Sequence, residues 1–185
     1  MLNLPNILSF FRILLVPLLV VTLLTKPKFE NQEFVGLALF LLASLTDFLD
    51  GFLARRRRQI TRLGKLLDPA ADKILISAAF ISLVELDLAP AWMVLAIVSR
   101  EFAVSSLRIL AAAEGVVIGA TWTGKLKTTV QIISISLLII FNQLGEFRHL
   151  APLSLWVTVV VTILSGVEYF VRYGRLVVSG GRTEQ

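Results

Sequence analysis

Six stretches of about twenty predominantly apolar residues follow one another along the chain, at about 6–25, 34–54, 67–86, 89–113, 126–144 and 150–171. A helix that crosses a bilayer needs roughly 20 such residues. The spacing therefore predicts an all-α, polytopic membrane protein with six transmembrane helices. The runs are too long and too evenly apolar for the alternating pattern of a membrane barrel. Composition agrees: 56% of the 185 residues are hydrophobic and 17% are charged, against about 25% charged in a soluble domain. Short connections carry the punctuation, such as Lys26-Pro27-Lys28 and the stretches from Asp87 to Pro90 and from Gly115 to Gly124. One membrane domain over 1–175 is expected, followed by a disordered tail over 176–185. With no cysteine and one histidine, disulfide frameworks, thiolate sites and any site that needs two imidazoles are excluded.

The basic residues set an orientation. Arg55, Arg56, Arg57, Arg58, Arg62 and Lys65 fall between the second and third runs, and Lys125 and Lys127 between the fourth and fifth. Arg172, Arg175 and Arg182 follow the last run, whereas only Lys26, Lys28 and Arg148 fall on the opposite side. Cytoplasmic loops carry the excess of Lys and Arg, so both termini and the 2–3 loop are expected in the cytoplasm. The net charge of +5 then records topology and contact with membrane lipids. It does not indicate nucleic acid as a partner.

Charge is spent unevenly among the runs. The stretches 128–145 and 150–167 carry no formal charge, whereas the first four runs contain Arg12, Asp47, Asp50, Asp68, Asp72, Lys73, Arg100, Glu101 and Arg108. A charge near the bilayer centre costs at least about 2.5–3.5 kcal/mol on insertion scales. Snorkelling accounts for a lone arginine such as Arg12, but a set of this size is expected to face a shared polar cavity.

Four of the five aspartates lie within 26 residues. Asp47 and Asp50 are three apart, and Asp68 and Asp72 four apart, so each pair shares a helix face. Asp68-Pro69 reads as a helix start with an aspartate cap. A short basic loop would bring both pairs to one membrane depth. Four carboxylates so close stay ionised only if cations compensate them. Oxygen-only ligands favour a hard divalent ion, Mg²⁺ or Mn²⁺, and four suffice to hold two ions as in phosphoryl transfer. Two separate capping and ion-pair sites, Asp50 with Arg55 for instance, are the plainer alternative. Gly51, Ala54 and Gly64 permit either close approach to a ligand or close helix packing. Arg55, nearest the membrane, is the arginine of its run best suited to a substrate phosphate, while Arg56 to Arg58 suit lipid headgroups.

The pattern Asp47-x2-Asp50-Gly51-x2-Ala54-Arg55-x8-Gly64-x3-Asp68-x3-Asp72 resembles, at every fixed position, the signature of the CDP-alcohol phosphatidyltransferases. Supporting stretches run from Asn3 to about residue 170. They include Leu67-Asp68-Pro69-Ala70-Ala71-Asp72-Lys73, Ser99-Arg100-Glu101-Phe102 with Arg108, Gly124-Lys125-Leu126-Lys127-Thr128 and Ser165-Gly166-Val167-Glu168-Tyr169-Phe170. The resemblance implies a six-helix CDP-alcohol phosphotransferase fold, a homodimer in the bacterial inner membrane, and a cytoplasmic active site with two Mg²⁺ or Mn²⁺ ions. It also implies that an acceptor hydroxyl attacks the β-phosphorus of CDP-diacylglycerol and displaces CMP. Asp47, Asp50, Asp68 and Asp72 would ligate the metals, with Asp72 also the general base. Gly51, Arg55 and Thr61, with Asn6 from the first helix, would contact the CDP moiety.

The longer stretches are most similar to the branch of the family whose acceptor is glycerol 3-phosphate. A small dianion calls for extra cations. Arg100 lies about eleven residues, or roughly 16 Å, into the fourth run at 1.5 Å per residue; an ion pair with Glu101 would also account for a cation there. Arg108 is about 80° further round the same helix, and Lys125 and Lys127 stand at the entrance to the fifth. These four are the candidate acceptor-phosphate residues, although either lysine alone is equally a topology signal. Inositol phosphate would also need cations, so only the longer resemblance sets it aside. A divalent-cation transporter would need carboxylates near the midplane, whereas these sit at helix ends beside a basic loop.

Overall fold

The computed structural model describes the backbone of residues 4–25, 31–57, 62–113, 115, 118–119 and 121–180, and side chains over 7–25, 31–46, 69–113, 115, 118–119 and 121–174. Among the described residues the chain is all-helical. The six α-helices are α1 (Leu4–Leu24), α2 (Gln32–Arg57), α3 (Arg62–Glu85), α4 (Ala91–Ala113), α5 (Trp122–Ile139) and α6 (Leu150–Gly180). Two short 3₁₀ turns, Phe141–Gln143 and Gly145–His149, link α5 to α6.

Several boundaries move from where the sequence puts them, each for a local reason. Asp68-Pro69 does not start α3; the helix begins at Arg62 and carries Pro69 inside it. Proline there lacks the N–H that would bond one turn back, a loss that neighbouring helices make tolerable in a packed bundle. Lys73 Nζ donates to the Pro69 carbonyl at 3.1 Å. With α2 helical through Arg57, Arg55, Arg56, Arg57, Arg62 and Lys65 stand on helix ends and not in a loop. Helix α5 begins at Trp122, four residues early, because the Thr121 side chain accepts from the Gly124 N–H at 3.1 Å. Threonine is a good N-cap, since its oxygen satisfies an orphan donor of the first turn. Gly124 and Lys125 therefore belong to that turn. At the far end α6 stays helical to Gly180, through residues 176–180 assigned above to the tail. Leu176-Val177-Val178 extend its apolar pattern, and Gly180-Gly181 is the first strong helix breaker.

Two groups of three helices make up the bundle. Helix α1 packs on α2 and α3, and α6 packs on α4 and α5. The groups meet where α2 touches α5 and where α3 touches α4. Their shared core is apolar and closely packed, built around Leu19, Phe40, Leu75, Phe80, Ile97, Ile135 and Leu155. A second, smaller cluster (Val104, Leu107, Ala111, Ile118 and Tyr169) closes the other end of α4 against α6.

Polarity is inverted relative to a soluble protein. Leu14, Leu95, Ile109, Leu164 and Val171 point outward, whereas Arg12, Glu101, Lys127, Gln131, Ser134, Thr158, Thr162 and Ser165 are buried. An apolar outer surface with polar groups turned inward suits a lipid environment. Taken singly, two helical segments among the described residues are long and apolar enough to cross a membrane: Ile7–Leu24 and the stretch Gly145–Gly174. Among the side chains described, α2 contributes the apolar segment Gln32–Thr46. Helices α3 and α4 carry Asp72, Lys73, Arg100, Glu101 and Arg108 within their length.

Phe80 is fully buried, and its neighbour Ile81 is 59% exposed on the outer face. Phe80→Ala is expected to cost about 3–5 kcal/mol, as for other buried aromatic truncations, while Ile81→Ala should change stability by less than about 0.5 kcal/mol. Equilibrium unfolding in mixed detergent micelles measures both.

Candidate active site

A cavity of about 280 Å³ opens between the two helix groups. Helix α3 contributes Pro69, Asp72 and Lys73 to its wall, and α4 contributes Arg100, Glu101 and Arg108. The first turns of α5 supply Gly124, Lys125, Lys127 and Thr128, and α6 supplies Tyr169. The structure thus brings all four candidate acceptor-phosphate residues into one cavity with Asp72. Five cations and two carboxylates line it, an excess of positive charge suited to an anion.

The four basic residues are not equivalent. Lys127, in the first turns of α5, is buried, and its Nζ lies 2.7 Å from Oε1 of Glu101. The same carboxylate oxygen accepts from Gln131 Nε2 at 3.3 Å and more distantly from Arg100 Nη1 at 3.4 Å. The alternative of an Arg100–Glu101 ion pair is therefore real, but it is the weaker of the two contacts Glu101 makes with cations. Arg100 is held mainly elsewhere. Its Nη2 donates to Ser165 Oγ at 2.5 Å, and its guanidinium lies over the Tyr169 ring, 5.7 Å from the centroid. Its Nε is buried with no hydrogen-bond partner. Arg108 reaches the Ile118 carbonyl at 3.3 Å through Nη2. Lys125 is exposed on the first turn of α5, where the helix dipole adds to its positive field.

Of the aspartate constellation, Asp72 has its side chain described. Asp47, Asp50, Gly51 and Arg55 lie on α2, Asp68 on α3 and Asn6 on α1, but their side chains, and the whole of Thr61, lie outside the described residues. Among the described residues no three His, Cys, Asp or Glu side chains gather as a metal group. Helices α2 and α3, which carry the two aspartate pairs, do pack against each other.

Sequence reasoning missed the supports of the cavity. Glu101 was expected to face a polar cavity and to compete for Arg100, but not to pair with Lys127, and Gln131 lay in a run notable for having no charge. Tyr169 donates to the Gly119 carbonyl and accepts from the Thr121 N–H, at 3.3 and 3.2 Å. Thr123 donates to Glu168. The available signal was a cluster of polar residues, Thr121 to Thr123 and Ser165 to Tyr169, at the ends of otherwise apolar helices.

Glu101→Ala would leave the Lys127 ammonium buried without its counter-charge, a loss of about 3–5 kcal/mol for such pairs. The double variant Glu101→Leu/Lys127→Met should recover most of that stability, because no unpaired charge remains. Thermal unfolding of the single and double variants in detergent checks both.

Comparison with known proteins bears on the same residues. The family model described as CDP-alcohol phosphatidyltransferase matches residues 2–164, which takes in the aspartate signature and all three helices that carry the cavity's basic residues. A Bacillus subtilis (strain 168) protein named CDP-diacylglycerol--glycerol-3-phosphate 3-phosphatidyltransferase is 45% identical over 183 residues, covering 92% of this chain and 94% of its own. A Rickettsia felis protein of the same name is 35% identical over 171 residues, covering 91% and 93%. A Mycobacterium tuberculosis (strain CDC 1551 / Oshkosh) protein named probable phosphatidylglycerophosphate synthase is 36% identical over 171 residues, covering 92% and 81%. With a matching signature, a family model that spans most of its length and relatives similar from end to end, the chain belongs to the CDP-alcohol phosphatidyltransferase family.

Proposed function

We propose that this protein is an integral-membrane phosphatidyltransferase that converts CDP-diacylglycerol and glycerol 3-phosphate to phosphatidylglycerophosphate and CMP. The observation that carries the acceptor is the cationic cavity itself: Arg100, Arg108, Lys125 and Lys127 line it together with Asp72. A neutral acceptor would not need that charge. The names of the relatives, in which CDP-diacylglycerol and glycerol 3-phosphate are the substrates, agree with this assignment. All six helices would span the membrane, with the charged faces of α3 and α4 turned into the bundle. Both termini and the active site would be cytoplasmic, as the basic residues suggest, and the protein would work as the family's homodimer in the bacterial inner membrane.

The donor set fits a pair of hard divalent ions. Asp47, Asp50, Asp68 and Asp72 offer carboxylate oxygens alone, the ligands that Mg²⁺ and Mn²⁺ prefer. The single histidine, His149, lies in the turn before α6 and not on the aspartate helices. When bound, the ions would neutralise the diphosphate and the negative charge that grows on departing CMP.

The chain's own residues would do the rest. Arg100, Arg108 and Lys125 bind the acceptor phosphate, while Lys127, paired with Glu101, lines the same cavity. Asp72 accepts the proton of the acceptor hydroxyl, whose oxygen forms a bond to the β-phosphorus as the bond to the CMP oxygen breaks. Gly51, Arg55, Thr61 and Asn6 hold the CDP moiety. Positioning and electrostatics dominate in phosphoryl transfer of this kind, so a rigid cavity is the main requirement.

Purified protein supplied with CDP-diacylglycerol and Mg²⁺ or Mn²⁺ should release CMP on addition of glycerol 3-phosphate. Release that responds to inositol phosphate and not to glycerol 3-phosphate would move the assignment to a sibling enzyme. Asp72→Asn should lower turnover by at least about 10³-fold, in line with loss of an essential base that is also a ligand, while CDP-diacylglycerol binding largely survives. Turnover near the wild-type rate in that variant would remove Asp72 from the role of base.

A further inference from the structure

One short segment of α6 enters the cavity through a single side chain, Tyr169, yet it restrains two of the cavity's other walls. Ser165, Gly166, Glu168 and Tyr169 fall within little more than one helical turn, so they present neighbouring faces to α4 and α5. Ser165 is fully buried and accepts from Arg100 Nη2. Gly166 lies flat against the stem of the same arginine: a Cβ built there would stand 3.0 Å from Arg100 Cγ and 3.6 Å from its Nε. The Tyr169 ring underlies the guanidinium. Arg100 is thereby gripped at its stem, at one terminal nitrogen and at one face.

The second wall is the start of α5. Tyr169 Oη bridges the Gly119 carbonyl and the Thr121 N–H, and Thr121 is the N-cap of α5. Glu168 accepts from the Thr123 hydroxyl one residue before Gly124. A Cβ at Gly124 would stand 3.2 Å from Thr121 Oγ1 and 3.4 Å from Tyr169 Oη. The turn that carries Lys125 is therefore seated against α6 at close range.

We propose that Ser165 to Tyr169 form the positioning element of the acceptor pocket, fixing Arg100 and the first turn of α5 so that one anionic phosphate meets pre-set cations. This rests on the function proposed above for the cavity. These are positioning residues, which act through Arg100 and Lys125. A guanidinium free to swing would lose rotamer entropy on each binding event, whereas a gripped one loses little. The steric fit at Gly166 is the sharpest handle, because it touches Arg100 and no other cavity residue at such range.

Gly166→Val is expected to raise KM for glycerol 3-phosphate about tenfold or more, since misplacement of a binding group by about 1 Å is costly. KM for CDP-diacylglycerol should stay within about twofold. The decisive readout is coupling: in an Arg100→Ala background, where the stem is gone, the same substitution should have no further effect on KM for glycerol 3-phosphate. Tyr169→Phe keeps the ring under Arg100 and frees the α4–α5 connection. It should weaken glycerol 3-phosphate severalfold, and it provides the test if Gly166→Val does not fold. Calorimetry with glycerol 3-phosphate and each folded variant gives the same ranking without turnover. The proposal is overturned if both variants bind glycerol 3-phosphate as the wild type does. Equal losses for both substrates, or a Gly166→Val penalty undiminished in the Arg100→Ala background, overturn it as well. Wild-type protein that releases no CMP with glycerol 3-phosphate would instead sink the proposed reaction, and the calorimetric ranking would still decide the positioning role.

Discussion

The carboxylate of Glu101 is the point on which the cationic half of the molecule depends. It is buried among groups that would otherwise repel one another, and one of its oxygens accepts from Lys127, Gln131 and, at longer range, Arg100. An ammonium taken out of water without a partner is destabilising by several kcal/mol. Glu101 makes it possible to bury Lys127, and so ties α5 to α4 through one ion pair beside a wall rich in positive charge. The arrangement leaves a surplus: five cations against two carboxylates around the cavity. An anion that enters relieves that surplus, which is the electrostatic logic of a phosphate pocket.

Around this point the helices divide the work. The apolar core over α1, α2, α3 and the outer halves of α4 to α6 provides close packing of large side chains such as Phe40 and Phe80. Where lipid surrounds the protein, association of helices relies on such packing and on polar contacts more than on the hydrophobic effect. Thr158, for instance, is buried and donates across the α5–α6 interface to the Val130 carbonyl at 3.1 Å. Five of the basic side chains described gather in one region, where α3, α4 and α5 open towards each other. The rigid frame and the reactive cavity are thus different stretches of the same helices.

Much of this was legible in the residues. The six helices follow from the apolar runs, and α4, expected at 89–113, is found at Ala91–Ala113. The inward turn of Arg100 and Glu101 followed from the cost of exposing them to lipid. What escaped was local and polar. The Thr121 cap shifts α5 by four residues because one hydroxyl satisfies one N–H, a preference that an apolar window does not register. Pro69 lies inside α3, where the Asp-Pro pair alone reads as a helix start. The pairing of Glu101 with Lys127, 26 positions away, depends on how α4 and α5 rotate against each other, and a single sequence does not specify that rotation.

On the proposed function, this cavity receives the phosphate of the acceptor beside Asp72. Steady-state kinetics of the double variant Arg108→Gln/Lys125→Gln test it most directly, because both side chains line the cavity and neither takes part in the buried Glu101 pair. KM for glycerol 3-phosphate should rise by at least about 100-fold, since charge-assisted contacts contribute about 1.5–3 kcal/mol each, while KM for CDP-diacylglycerol stays near the wild-type value. An unchanged KM for glycerol 3-phosphate, or a rise confined to CDP-diacylglycerol, would contradict the account.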